Sequence, residues 1–171
     1  MRSLLCVCLL LFAIAVVAQE NHENQSPTHS SPEFSALKAL IGDWEGTAND
    51  SGQTFPASAT VRLTSGGSVL MHTLAPGGPE EMVSMIHPDG SDLLMTHYCA
   101  AHNQPRFQAA KLDGNKVTFR FKDITNLAHG HDGHMDSVTF TMIDADHHTE
   151  EWGYVDHGKR STGVFEFHRK K

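Results

Sequence analysis

Disulfide staples are excluded at once. Of the three cysteines in the chain, Cys6 and Cys8 lie in an apolar N-terminal run and only Cys99 lies beyond it. One thiol cannot close an intrachain bridge, so the fold has to rest on a buried core. A basic stripe is missing too. No Lys/Arg run is longer than Arg169-Lys170-Lys171, and 13 basic residues face 20 acidic ones, a net of −7 with histidines neutral. Nucleic-acid phosphates need a concentrated basic face, so no nucleic-acid partner is expected. The sequence has no Gly-x-Ser-x-Gly elbow, no His-Glu-x-x-His pair and no phosphate-cradling glycine loop. Nor does any pair of acids stand at a spacing that argues for acid–base hydrolysis.

The one long apolar run is at the start. Arg2 precedes an uninterrupted apolar stretch over 4–18, which ends in Val16-Val17-Ala18 before Gln19-Glu20. That is the pattern of a cleaved secretory signal, and the run falls short of the roughly 20 residues that span a bilayer. Residues 1–18 are therefore read as a signal peptide, with an uncleaved anchor as the alternative. The mature protein is expected to be periplasmic or extracellular, with no membrane span. Losing Arg2 leaves 12 basic residues against 20 acids, a net of −8. All 13 histidines follow the leader, so their full protonation would bring the formal charge to +5. Unperturbed histidine titrates near pH ~6.5, so the surface field should reverse in mildly acidic surroundings.

Residues 19–32 hold no large apolar side chain and read as a flexible polar linker. Helix-start signals follow in Ser30-Ser31-Pro32-Glu33, with a serine cap and a glutamate three residues after Ser30. Phe34, Leu37, Leu40 and Ile41 stand at helical spacing, and Gly42 ends a helix of two to three turns. Beyond it, turn residues punctuate ten short runs, placed at 43–49, 54–64, 68–75, 81–87, 92–101, 105–112, 116–123, 136–143, 148–155 and 160–168. Val117, Phe119 and Phe121 alternate with Thr118, Arg120 and Lys122, as a wall with a filled inside and a wet outside requires. The domain, 33–171, is expected to be all-β: a single antiparallel up-and-down barrel of about ten strands with a short N-terminal helix.

Two sets of residues carry a family resemblance. Gly42-Asp43-Trp44, between the helix and the first strand, resembles the Gly-x-Trp opening of lipocalin-type (calycin) barrels. The resemblance implies a tryptophan at the closed end beneath a basic residue from near the end of the last strand, with Arg169 the first candidate and Arg160 the second. The second set is 96–101, 103–106, 123–127, 133–135 and 144–147, followed by Trp152. Over roughly 36–169 it is similar to a group of exported bacterial proteins of unknown function with lipocalin-like folds. That implies an architecture and a compartment, and no activity.

Candidate site residues come from strand parity. Leu93, Met95, His97 and Cys99 share one face, whose apolar members point it inward. An inward imidazole can hold a ligand carboxylate, a haem iron or a proton, or simply be satisfied by a neighbour. Cys99 reads as an inert small hydrophobe. Tyr98 lies beside them, and Arg106, past the next turn, offers a fork for a carboxylate or phosphate, or a partner for an acid. His148, Glu150, Trp152 and Tyr154 share a face that would suit an amphipathic molecule, while His147, Thr149 and Glu151 read as solvated. His129, His131 and His134 form a His-x-His-x2-His pattern in a long connection over 123–135, beside Asp132 and Asp136. Imidazole suits zinc, copper and nickel, but two glycines leave these ligands unorganised. The leading expectation is a barrel that binds a small amphipathic or apolar ligand through His97, Tyr98, Arg106, His148, Glu150 and Trp152. A divalent-metal or haem site through histidines is the first alternative. An enzyme at the barrel mouth, with His97 as base and Arg106 as anion holder, is the second.

Overall fold

The computed structural model describes residues 31–171; the expected signal peptide and residues 19–30 of the expected linker, the expected cap Ser30 among them, lie outside the described residues. A helix α1 (Pro32–Leu37) runs into a 3₁₀ turn (Lys38–Leu40). Ten strands follow: β1 (Gly42–Asp50), β2 (Gln53–Thr64), β3 (Val69–Leu74), β4 (Met82–Asp89), β5 (Asp92–Tyr98), β6 (Gln104–Ala109), β7 (Lys116–Thr125), β8 (His134–Met142), β9 (His147–Asp156) and β10 (Lys159–Arg169). Each strand pairs antiparallel with its sequence neighbour, and β1 pairs with β10 to close the barrel. Among the described residues no helix is long and apolar enough to cross a membrane.

The helix starts one residue later than the Ser30 cap implies. Ser31 is the cap, its Oγ accepting from Phe34 N at 3.1 Å. Glu33 does not serve the helix start alone: its carboxylate also accepts from Leu112 N at 3.0 Å and ties the helix to the β6–β7 connection. The long connection is shorter than 123–135, because β7 continues to Thr125 and β8 begins at His134. β5 stops at Tyr98, where a turn closed by His102 N to Cys99 O takes over.

Alternation fills the interior. Leu93, Met95, Phe107, Val117, Phe119, Val138 and Phe140 are all fully buried, and burying each such side chain stabilises the fold by roughly 1.5–3 kcal/mol. Phe34, Leu37 and Leu40 from the helical segment are buried with them, so one end of the barrel is closed. The opposite end carries the β1–β2, β3–β4, β5–β6, β7–β8 and β9–β10 connections and forms the mouth.

Trp44 locks the closed end. Its indole N–H donates to Leu40 O at 2.7 Å, and the Arg169 guanidinium lies 4.2 Å above the ring centre. Arg169 also donates to the carbonyls of Ile41 (2.8 Å), Ala39 (3.0 Å) and Ala145 (2.8 Å). One planar fork thus joins the last strand to the helix exit and to the β8–β9 turn. Gly42 makes room for it: its φ is +143°, and a Cβ there would stand 2.5 Å from Arg169 Nη1. Arg169 stands where the Gly-x-Trp resemblance places its basic residue.

Removing this fork leaves three carbonyls without their charged donor and uncovers the Trp44 ring. Arg169→Ala should lower unfolding free energy by about 2 kcal/mol in urea titrations, and Arg169→Lys should recover only part of it, because an ammonium cannot reach all three carbonyls in one plane. A lysine variant as stable as the parent would contradict this account.

Candidate functional site

Parity along β9 sends His148, Glu150 and Trp152 into the barrel, where they are 0%, 0% and 1% exposed. His147 and Glu151 on the other face are exposed. From β3, parity also turns His72 inward, and from β5, His97. Four titratable side chains therefore meet in the buried interior.

Glu150 is their centre. Its Oε1 lies 2.9 Å from His72 Nε2 and 3.1 Å from His148 Nε2, and its Oε2 accepts from Trp152 Nε1 at 2.8 Å. Both imidazoles therefore present Nε2–H to the carboxylate. Burial alone would raise the Glu150 pKa. The attraction of His72 and the hydrogen bonds from His148 and His72 outweigh it, and the carboxyl is held well below the ordinary range. His97 stands slightly apart. Its Nδ1 is 2.8 Å from Ser84 Oγ, and its ring lies 4.8 Å from that of Trp152. Burial, and to a lesser extent the neighbouring His72, push its pKa down to about 3 against an opposing pull from Glu150. At neutral pH it is an uncharged ring.

The network runs along the barrel axis. The Trp44 ring meets His148 edge-on at 4.3 Å, His148 bonds Glu150, and Glu150 holds Trp152. Trp152 in turn lines a pocket just inside the mouth, about 260 Å³ in volume, with Met135, Tyr154 and Phe165 as the other large walls. Gly163 and Ala48 supply the space, and Asp50 and Ser161 sit at its rim. Gly163 pairs directly with Trp152 across the β9–β10 ladder. A Cβ there would touch only Phe165, at 3.9 Å, so the glycine leaves room beside the indole rather than meeting a backbone need. The larger depression, about 760 Å³ along Glu45, Thr47, Ser58, His147 and His168, is an open groove that encloses nothing.

Of the six candidate ligand residues, the fold brings His97, His148, Glu150 and Trp152 together inside. It does not bring Tyr98 or Arg106 to them. Tyr98 is 51% exposed, and Arg106 lies on the outer wall, forked onto Asp123 with Nη2 to Oδ2 at 2.8 Å. His97 as base and Arg106 as anion holder therefore stand on opposite sides of the wall. Only Trp152 of the six lines the pocket. Gly163, Ala48, Met135 and Phe165 escape sequence reasoning about chemistry, because none carries a reactive group. A glycine at an inward parity position of β10 is the signal that would have found the space.

The loop histidines separate as well. His129 and His131 lie exposed at the mouth with rings 5.6 Å apart, while His134 belongs to β8, packs on Phe121 at 5.2 Å and bonds Asp132 O. Haem does not fit these residues. The pocket, about 260 Å³, is too small to enclose a haem macrocycle, and His97 and His134 do not line it.

No family model and no curated protein matches the chain. Among the solved structures that share its fold are two with TM-scores above 0.5. One is a protein of unknown function from the DUF3598 family of Nostoc punctiforme, with a TM-score of 0.56 and 14% identity over 78% of this chain and 48% of that one. The chain therefore spans about half the length of that relative. The other is Rv2717c from M. tuberculosis, with a TM-score of 0.56 and 13% identity over 82% of this chain and 99% of that one. At such identities the likeness is one of fold alone.

His97 makes stability depend on pH with a defined sign. The unfolded imidazole takes up a proton near pH 6.5 and the folded one only near 3. Acid therefore favours the unfolded chain: the contribution of His97 is fully present above 6.5 and is lost as pH falls towards 3. The interval corresponds to about 4–5 kcal/mol. Between pH 6.5 and 4, His97→Gln should lose about 3 kcal/mol less unfolding free energy than the parent in matched denaturant titrations. Parallel pH profiles would contradict the assignment.

Proposed function

We propose that this protein is a small-molecule carrier whose guest enters the mouth of the barrel and rests against Trp152. The half-enclosed pocket of about 260 Å³ carries this reading, because the wall leaves an apolar hollow beside an indole whose N–H is already committed to Glu150. Trp152, Phe165, Met135 and Tyr154 offer ring and thioether surface, while Asp50 and Ser161 offer polar contacts at the rim. A molecule of one or two rings with one polar end matches that lining. Asp50 beside the opening and a net charge of −7 disfavour an anionic guest. The guest class is therefore uncharged or cationic. The lipocalin-like resemblance and the export signal read from 1–18 fit a carrier working outside the cytoplasm.

His72, His97, His148 and Glu150 serve this site from behind. All are closed to solvent, so they do not reach a guest in the pocket; they fix the indole that does.

The uncharged fluorophore N-phenyl-1-naphthylamine tests the pocket. Its emission should rise saturably at one equivalent with the parent protein. Gly163→Leu fills the space beside Trp152 without a backbone clash and should weaken that binding at least tenfold, with thermal unfolding unchanged within a few degrees. Equal binding by Gly163→Leu, or no saturable signal in the parent, would sink the proposal.

A further inference from the structure

The mouth carries a second group of residues, independent of the pocket. We infer that His131, His157 and Asp132 form a binding site for a divalent transition metal of the zinc, copper and nickel class, joining two loops. Among the described residues this is the one group of three histidine, cysteine or acidic side chains whose ligand atoms all lie within 4.8 Å of one another, close enough to share an ion.

The two imidazoles come from different hairpins. His131 lies in the connection between β7 and β8, and His157 in the turn between β9 and β10. Their backbones are joined by His157 N donating to His131 O at 2.8 Å, and their rings stand 4.6 Å apart. The separation of the two histidines is therefore set by main-chain pairing and not by loop chance. His157 is oriented from behind as well, with its Nδ1 2.7 Å from Asp156 Oδ1. A carboxylate on Nδ1 fixes the tautomer that leaves the Nε2 electron pair free, which is the arrangement that metal-bound histidines use. Asp132 is tethered in the same way: its Oδ2 accepts from His129 N at 2.8 Å, while Oδ1 lies 4.0 Å from His131 Nε2. Two nitrogens and one carboxylate oxygen match the preference of borderline divalent ions, and leave a coordination position for water or for His129, whose ring lies 5.6 Å from that of His131.

This set differs from the His-x-His-x2-His spacing of the sequence. His134, which that spacing includes, packs on Phe121 with Nδ1 on a backbone oxygen, and His157, 26 positions after His131, takes its place.

The test is titration of the untagged full-length chain with zinc chloride by calorimetry, with His22 and His29 replaced by alanine in every sample so that no signal arises from them. One equivalent should bind. His131→Ala and His157→Ala should each weaken binding tenfold or more, while His134→Ala and His87→Ala should stay within twofold of the parent. A measurement needing no substitution accompanies it: zinc should shift the imidazole Nε2 resonance of His157 in nitrogen-15 spectra and leave that of His134 in place. Uptake that neither His131→Ala nor His157→Ala alters, binding lost in His134→Ala, or an unmoved His157 resonance would overturn the assignment.

Discussion

The carboxylate of Glu150 is the constraint around which the interior is arranged. An ionised carboxyl with no solvent contact is tolerated only when its oxygens are filled with donors, and here three N–H groups from three side chains supply them. Each donor is pinned in turn. His72 fixes β3 against β9, across the barrel and not along a ladder. His148 is fixed within β9 and presses its edge on Trp44 at the closed end. Trp152 is fixed so that it lines the mouth pocket. One buried charge therefore couples the orientation of aromatic residues at both ends of the barrel.

Such a network is a poor device for stability alone. Apolar residues of similar volume would fill the same space at no desolvation penalty. The outer nitrogens, His72 Nδ1, His148 Nδ1 and His97 Nε2, have no hydrogen-bond partner among the described residues, and burying an unpaired polar atom costs about 1–3 kcal/mol. What the network provides is uniqueness of arrangement. A tryptophan among phenylalanines can adopt several rotamers in a loosely specified core, whereas one whose N–H must meet Glu150 Oε2 has far fewer. A pocket whose wall is that indole needs this restriction more than the fold does.

Much of this was legible in the residues. The ten strands could be located because Val117-x-Phe119 and Val138-x-Phe140 alternate without interruption; the inward face of β9 could not be fixed that way, since a bulge would reverse it, and it is the structure that has none between His148 and Trp152. Arg169 over Trp44 followed from the Gly-x-Trp opening. Parity also turns Tyr98 away from His97, so one strand could not offer both to the same guest. The structure adds what alternation cannot encode. Bulges at Arg106/Phe107 and Met135/Ser137 shift register locally. The meeting of His72 with Glu150 spans 78 positions and depends on barrel closure. Likewise Asp156-His157-Gly158 reads as a turn and nothing more until two hairpins are seen to share a backbone bond.

The pocket itself arises from omission. Around the mouth, positions of inward parity carry Gly163 and Ala48 where the lower wall carries Phe140, Phe119 and Leu93, so the hollow exists because side chains are small at one level of the barrel and large at the next. Wall geometry is the part shared with solved structures at 13–14% identity, and it does not by itself determine what enters. In the carrier proposed above, selection would fall to the few residues at that upper level. An indole held edge-bonded to a buried acid presents apolar surface and no free donor, so its contribution to a guest is area and shape. The polar discrimination must come from the rim, where Asp50 and Ser161 stand. A guest that satisfies both has an apolar ring directed inward and its donor groups directed out.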